Sequence, residues 1–187
     1  MDPAATVGFG PRFVGRLIDT GVGLVAAVGT TVVAHIVLRH LMKAGVVAPG
    51  WSHDRGGPLS LYGGRLLANM LGATVSTWLG SVSLGKVLLG MRVVRLQGGR
   101  CGFGAALQRE LAYYVDSFFL GMVAYSAMAK GPEHQRIGDR WAGTVVVRSS
   151  AVSSPTRIRS GRIALALCAG FALQVGVAAL IRVLHYL

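Results

Sequence analysis

Three ionisable residues stand at the start of the first long apolar run: Arg12, Arg16 and Asp19 in PRFVGRLIDTGVGLVAAVGTTVVAHIVL. A carboxylate at membrane depth is costly to keep charged, so its charge state depends on the balance of desolvation and ion pairing, and such a group is read as a functional site. Losing an arginine partner, or admitting a cation, would bind or release its proton, which is the chemistry an exchanger needs. The plainer reading, favoured for a lone pair, is an internal salt bridge that locks helices together. On a helix, Arg12 and Asp19 lie on nearly the same face, about 10 Å apart along the axis. Arg16 falls between them, within reach of the carboxylate. Gly15, Gly23 and Ala26 continue that face and admit a second helix.

Two further constellations carry charge. Arg109 and Asp116 repeat the spacing of Arg12 and Asp19, as RELAYYVD against RFVGRLID. Coincidence is the favoured explanation in an arginine-rich chain; a real repeat would let the two carboxylates approach and share a proton or cation. In QRIGDRWAGT, Arg136, Asp139 and Arg140 precede a strand-like run. The expected role of Asp139 is structural: capping a turn, pairing with Arg136 or Arg140, or reaching back to the first charged cluster.

Other chemistries are poorly represented. GSVSLGKV, residues 80–87, has P-loop spacing up to Lys86, but Val87 replaces the hydroxyl that would hold magnesium and an apolar helix precedes it. The glycines of GGRCGFG read as turn residues. Cys101 and Cys168 form no CxxC motif. His35, His40, His53, His134 and His185 have no metal-ligand spacing, and no Ser, His and Asp arrangement singles itself out as a triad. Neither enzymatic activity nor a cofactor or metal is expected.

The elements that must position these residues are membrane helices. The chain has 187 residues, 52% hydrophobic and 14% charged, with mean hydropathy +0.55, against roughly 25% charged residues in a soluble domain. Net charge is +12 and pI about 11.1. The basic residues lie between the apolar runs, which suits topology control and anionic headgroups rather than nucleic acid. Lys86, Arg92, Arg95, Arg157, Arg159 and Arg162 are the candidate headgroup contacts, and Trp51, Trp78 and Trp141 the candidate interfacial anchors.

The spacing predicts an all-α membrane protein with four apolar segments, about residues 13–38, 61–81, 110–129 and 162–184, each near the roughly 20 residues a crossing needs. The run after Asp19 is too long for the core of a cleavable signal peptide. Four full crossings place more basic residues outside than inside, against the positive-inside rule. If the third segment, which carries Glu110 and Asp116, dips in and returns, the loops 82–109 and 130–161 both stay cytoplasmic. GMRVVRL and GTVVVR, short β-branched runs bounded by glycine, could then pair as a small β element; two unrelated loops remain the alternative. Small ladders, Ala68, Gly72, Ser76 and Gly80 in the second segment and Ala164, Cys168, Ala172 and Gly176 in the fourth, are read as packing faces, within the chain or in a homo-oligomer.

RFVGRLID, SLGKVLLGMRVV and QRIGDRWAGTVVV occur in that order, and together the chain resembles the RDD family of small bacterial membrane proteins, named for one arginine and two aspartates. The resemblance covers residues 9 to about 149. It maps the arginine on Arg12, the first aspartate on Asp19 and the second on Asp139, with Asp116 as the alternative; Gly15 stands where the family commonly has alanine. It implies a membrane domain over 1–149; beyond it, composition reads 150–161 as a basic Ser/Pro-containing linker and 162–187 as an additional C-terminal transmembrane helix, to which nothing carries over. A transport role, including monovalent cation and proton exchange, is what the resemblance implies about activity. The expected setting is the bacterial cytoplasmic (inner) membrane, multi-pass, in contact with anionic lipids. The competing expectation is a non-enzymatic assembly or scaffold module that binds other membrane proteins or anionic lipids through the same charged motifs.

Overall fold

The computed structural model of the protein describes residues 5–46, 58–152 and 158–186. Helix α1, Phe9–Lys43, runs for 35 residues, about 52 Å at 1.5 Å per residue. Its one proline, Pro11, stands in the first turn, where a missing N–H costs no helical bond. It ends where Gly45 takes a positive φ of 73°, with His40 and Lys43 in the last turn facing the negative end of the helix dipole. Most of its apolar surface is uncovered, including Leu24, Val25, Val28, Val32 and Ile36.

Helix α2 is Pro58–Gly80, α3 Leu84–Leu88, β1 Met91–Arg95, α4 Phe103–Asp116 and α5 Phe118–Ala129. Helix α6, Ile137–Trp141, β2, Thr144–Arg148, a 3₁₀ turn, Ser149–Ala151, and α7, Ser160–Tyr186, complete the described chain. Among the described residues two helical stretches are long and apolar enough to cross a bilayer, Phe9–Lys43 and Ser160–Arg182; only 22% and 11% of their most apolar windows is buried. A core helix of a soluble protein would hide that surface, so lipid is the solvent that fits it.

Helix α7 is no loose appendage. It packs along α2 through small residues: a Cβ at Gly72 would stand 2.6 Å from the carbonyl oxygen of Gly170, and one at Gly80 2.7 Å from the Ala166 methyl. Such contacts let backbones meet without hydrophobic driving force from water. Ala68, Gly72, Ser76 and Gly80 do form the α2 face, whereas on α7 the contact is made by Ala166, Gly170 and Gln174. The expected α7 ladder of Ala164, Cys168, Ala172 and Gly176 is exposed instead. In a helix this rich in Ala and Gly several four-residue registers exist, and the fit to Gly72 and Ser76 selects among them.

The valine-rich runs pair as an antiparallel ribbon, Met91 opposite Arg148, Val93 opposite Val146 and Arg95 opposite Thr144. The N-terminus adds to it through Val7 N, which donates to Val146 O at 3.0 Å. Val7, Met91, Val93, Cys101, Ala105, Ala106 and Val146 form one buried cluster under the ribbon. With 14 and 12 residues, α4 and α5 each rise about 20 Å, less than the ~30 Å hydrocarbon core. The pair turns at Phe119 and Gly121, both at positive φ. Its outer ends stay by the ribbon: Ala105 and Ala106 join the cluster, and Ala127 O accepts from Arg140 at 2.7 Å.

Candidate functional site

The charged residues fall into two centres, and the pairs expected from local spacing are not the ones formed. In the first, the Asp139 carboxylate is fully buried and held from two helices: Arg12 Nη2 donates to one oxygen and Arg109 Nη1 to the other. Arg12 Nη1 also donates to His134 O at 2.8 Å, and Arg109 donates to Thr144 Oγ1. Arg136 N donates to Asp139 Oδ2 at 3.1 Å, closing the first turn of α6. Burial alone would raise the Asp139 pKa, but Arg109, Arg12 and Arg136 outweigh it and hold the carboxyl well below the usual range. Asp139 therefore reaches back to the first helix and also bonds Arg109. Arg140 instead serves the carbonyl end of α5.

Asp116 supports this centre from below. It accepts from Ile137 N at 3.3 Å and Gly138 N at 3.4 Å, satisfying the free amides that open α6. Arg136 lies 3.9 Å from it.

The second centre contains Asp19. Its oxygens accept from Gly85 N at 2.8 Å and Ser83 Oγ at 2.6 Å, at the start of α3. Arg16 does not pair with Asp19; it meets Glu110 at 3.7 Å and lies 3.6 Å over the Tyr113 ring. Local helix geometry permits the Arg16 contact with Asp19, but α3 and α4 supply partners of better direction. Asp19 and Asp116 likewise share no proton or ligand, because each spends both oxygens on a different short helix. Lys86 points inward, its Nζ donating to Ser83 Oγ at 3.3 Å, and not outward to lipid headgroups. Arg92 is half-buried, Arg95, Arg159 and Arg162 are exposed, and Arg162 Nε donates to Leu79 O at 2.9 Å. Arg157 and Trp51 lie outside the described residues; Trp78 and Trp141 are exposed.

A cavity of about 510 Å³ opens beside the second centre, between α1, α2, α4 and α7. Arg16, Asp19, Lys86 and Glu110 give it charge, and Asn69, Ser76, Tyr113 and Gln174 give it hydrogen-bonding groups. Gly23, on the small face of α1, lets Asn69 and Gln174 come within 4 Å. A void of about 30 Å³ separates this centre from the Asp139 centre, enough for a water molecule. Glu110 and Tyr113 escape the reading by motif; the available signal is an acidic residue on an apolar segment directly after Arg109.

An uncovered apolar surface on two long helices, with buried charge at one end, defines a small helical membrane protein. Residues 6–143 match the model of the RDD family, and the chain belongs to that family of small membrane proteins. The match ends before α7, although α7 walls the cavity. No curated protein and no solved structure matches the chain.

Proposed function

We propose that this is a multi-pass protein of the bacterial inner membrane that exchanges a monovalent cation for protons, with Asp19 and Glu110 as the cation-facing carboxylates. The observation that carries this reading is the 510 Å³ cavity, in which two carboxylates face polar side chains from four helices. Asp116 and Asp139 are left out of the transport path because neither lines the cavity, and Asp139 is in addition clamped by two guanidinium groups. In this topology α1 and α7 cross on their own length and apolarity, α2 crosses packed against α7, and α4 with α5 forms a re-entrant hairpin. The ribbon side is cytoplasmic, and among the described basic residues only Arg39, Lys43, Arg65 and Arg182 fall on the other side, in keeping with the positive-inside rule.

The test is proton flux driven by sodium or potassium in proteoliposomes, beside Asp19→Asn and Glu110→Gln proteins of equal incorporation. Flux in the parent that falls at least tenfold in both variants supports exchange. Parent vesicles indistinguishable from empty ones overturn it. The outward small-residue face of α7 favours assembly with other membrane helices as the second reading. Oxidative crosslinking of exposed Cys168 in native membranes tests that directly.

A further inference from the structure

The two charge centres are built on one plan. Ser83–Arg95 and Arg136–Arg148 each form a short helix, a glycine turn and a strand, and corresponding residues make corresponding contacts. Asp19 accepts from Gly85 N as Asp116 accepts from Gly138 N. Gly85 packs on Gly15, and Gly138 on Ala112 and Arg109, the residues equivalent in RFVGRLID and RELAYYVD. Gly90 and Gly143 turn into the strands at φ of 62° and 58°. Val93 and Val146, equivalent in the two segments, are paired with each other across the ribbon, so a local twofold axis runs between them.

At one buried position the plan is broken by charge. Asp139, third residue of α6, corresponds to Lys86, third residue of α3. Asp139 is clamped by arginines from two helices. Lys86 has no carboxylate within ion-pairing distance among the described residues and keeps a single hydrogen bond, to Ser83 Oγ at 3.3 Å. Ser83 passes its own hydroxyl proton toward Asp19 Oδ2 at 2.6 Å. One half is thus closed, and the other opens on the cavity with an ammonium in place of the clamped carboxylate.

We propose that Lys86 is a built-in competitor of the transported cation, displaced from its charged state when the cation settles between Asp19 and Glu110. This rests on the exchange reading and specifies its coupling. A nitrogen–hydrogen bond of the ammonium breaks and its electron pair stays on Nζ. The proton goes to Ser83 Oγ, whose own proton moves to Asp19 and then to water in the cavity as the cation replaces it. One cation enters for one proton released, and the charge of the cavity is unchanged. The groups facing Lys86 are Arg12, Arg16 and Asp19 from α1, Arg109, Glu110 and Tyr113 from α4, and Arg136 ahead of α6. Burial lowers the Lys86 pKa to about 8, against the opposite pull of Asp19 and Glu110, so the amine can change state near physiological pH.

The experiment compares the parent protein with Lys86→Met and Lys86→Arg in proteoliposomes, following radioactive sodium or rubidium uptake together with internal pH. Uptake by the parent is expected to follow the pH gradient. Lys86→Met is expected to keep uptake but lose its dependence on that gradient, and Lys86→Arg, which cannot release its proton, to lose at least tenfold of both signals. Lys86→Met with parental coupling, or Lys86→Arg with parental exchange, overturns the Lys86 role and leaves exchange standing. No cation-driven proton movement in the parent overturns both. Should either variant fail to fold, proton release on adding sodium or potassium chloride to the detergent-purified parent near pH 7, where an amine of pKa about 8 is still mostly protonated, decides: about one proton per chain supports the role, and none overturns it.

Discussion

Arg12 and Arg109 hold opposite oxygens of one carboxylate, that of Asp139, from two different helices. Each guanidinium is itself buried, with side-chain exposure of 8% and 2%, so removing the carboxylate strands two charges at once. Breaking a buried ion pair from one side typically costs about 3–5 kcal/mol. Asp139→Asn is therefore expected to lower the melting temperature sharply, or to abolish folded yield, in detergent. An Asp139→Asn protein that melts with the parent would refute the staple.

The same carboxyl predicts acid sensitivity. Its pKa is depressed in the folded state, so its contribution is complete above the ordinary carboxylate range and is lost as pH falls below it. Melting temperature measured from pH 7 downward should decline steeply below about pH 4, the reference range for aspartate. A flat profile across that interval would contradict it.

Lys86 predicts the opposite limb. Its folded pKa, about 8, lies below its reference value of 10.5, so the unfolded chain binds more protons between those values and stability rises with pH across that window. Differential melts of the parent against Lys86→Met should converge as pH climbs from 8 to 10. A constant gap would show that Lys86 does not titrate there.

Close approach predicts a graded response at two glycines. A Cβ at Gly85 would run into the backbone of Gly15 in α1, whereas one at Gly138 would meet the Ala112 methyl at 2.8 Å. A methyl contact yields by small shifts and a backbone contact does not. Gly85→Ala should therefore lose more folded protein than Gly138→Ala, measured by monodisperse yield. Equal yields would argue against the close contact of α1 and α3.

Much of the architecture could be read from residue order. Long apolar runs announced α1 and α7, the β-branched runs between glycines became β1 and β2, and Gly15 and Gly23 mark contact faces of α1. Ion partners were harder, because spacing along a helix reports which residues are near each other in that helix and nothing of what another helix brings. Arg16 thus looked like the partner of Asp19 but belongs to Glu110 and Tyr113. The Arg-x6-Asp repeat is visible in the sequence, but in an arginine-rich chain spacing alone does not set it apart from coincidence. Its second half, SLGKVLLG against RIGDRWAG, shares little beyond two glycines, and only the matching contacts of Asp19 and Asp116 reveal it. The charge inversion at Lys86 hides the likeness further, since the residue that breaks the pattern is the one on the cavity wall.

That matched pair separates structure from transport in a single comparison. Asp19 and Asp116 both serve the first amides of a five-residue helix, and asparagine keeps one acceptor oxygen while removing the charge. Losing such a cap costs about 1 kcal/mol, so Asp19→Asn and Asp116→Asn should each lower the melting temperature by a few degrees. Only Asp19 lines the cavity. Cation-driven proton flux should therefore persist in Asp116→Asn and vanish in Asp19→Asn at equal incorporation. If both variants lose flux in proportion to their melting temperatures, the carboxylates act alike as structural caps, and Asp19 has no direct part in moving an ion.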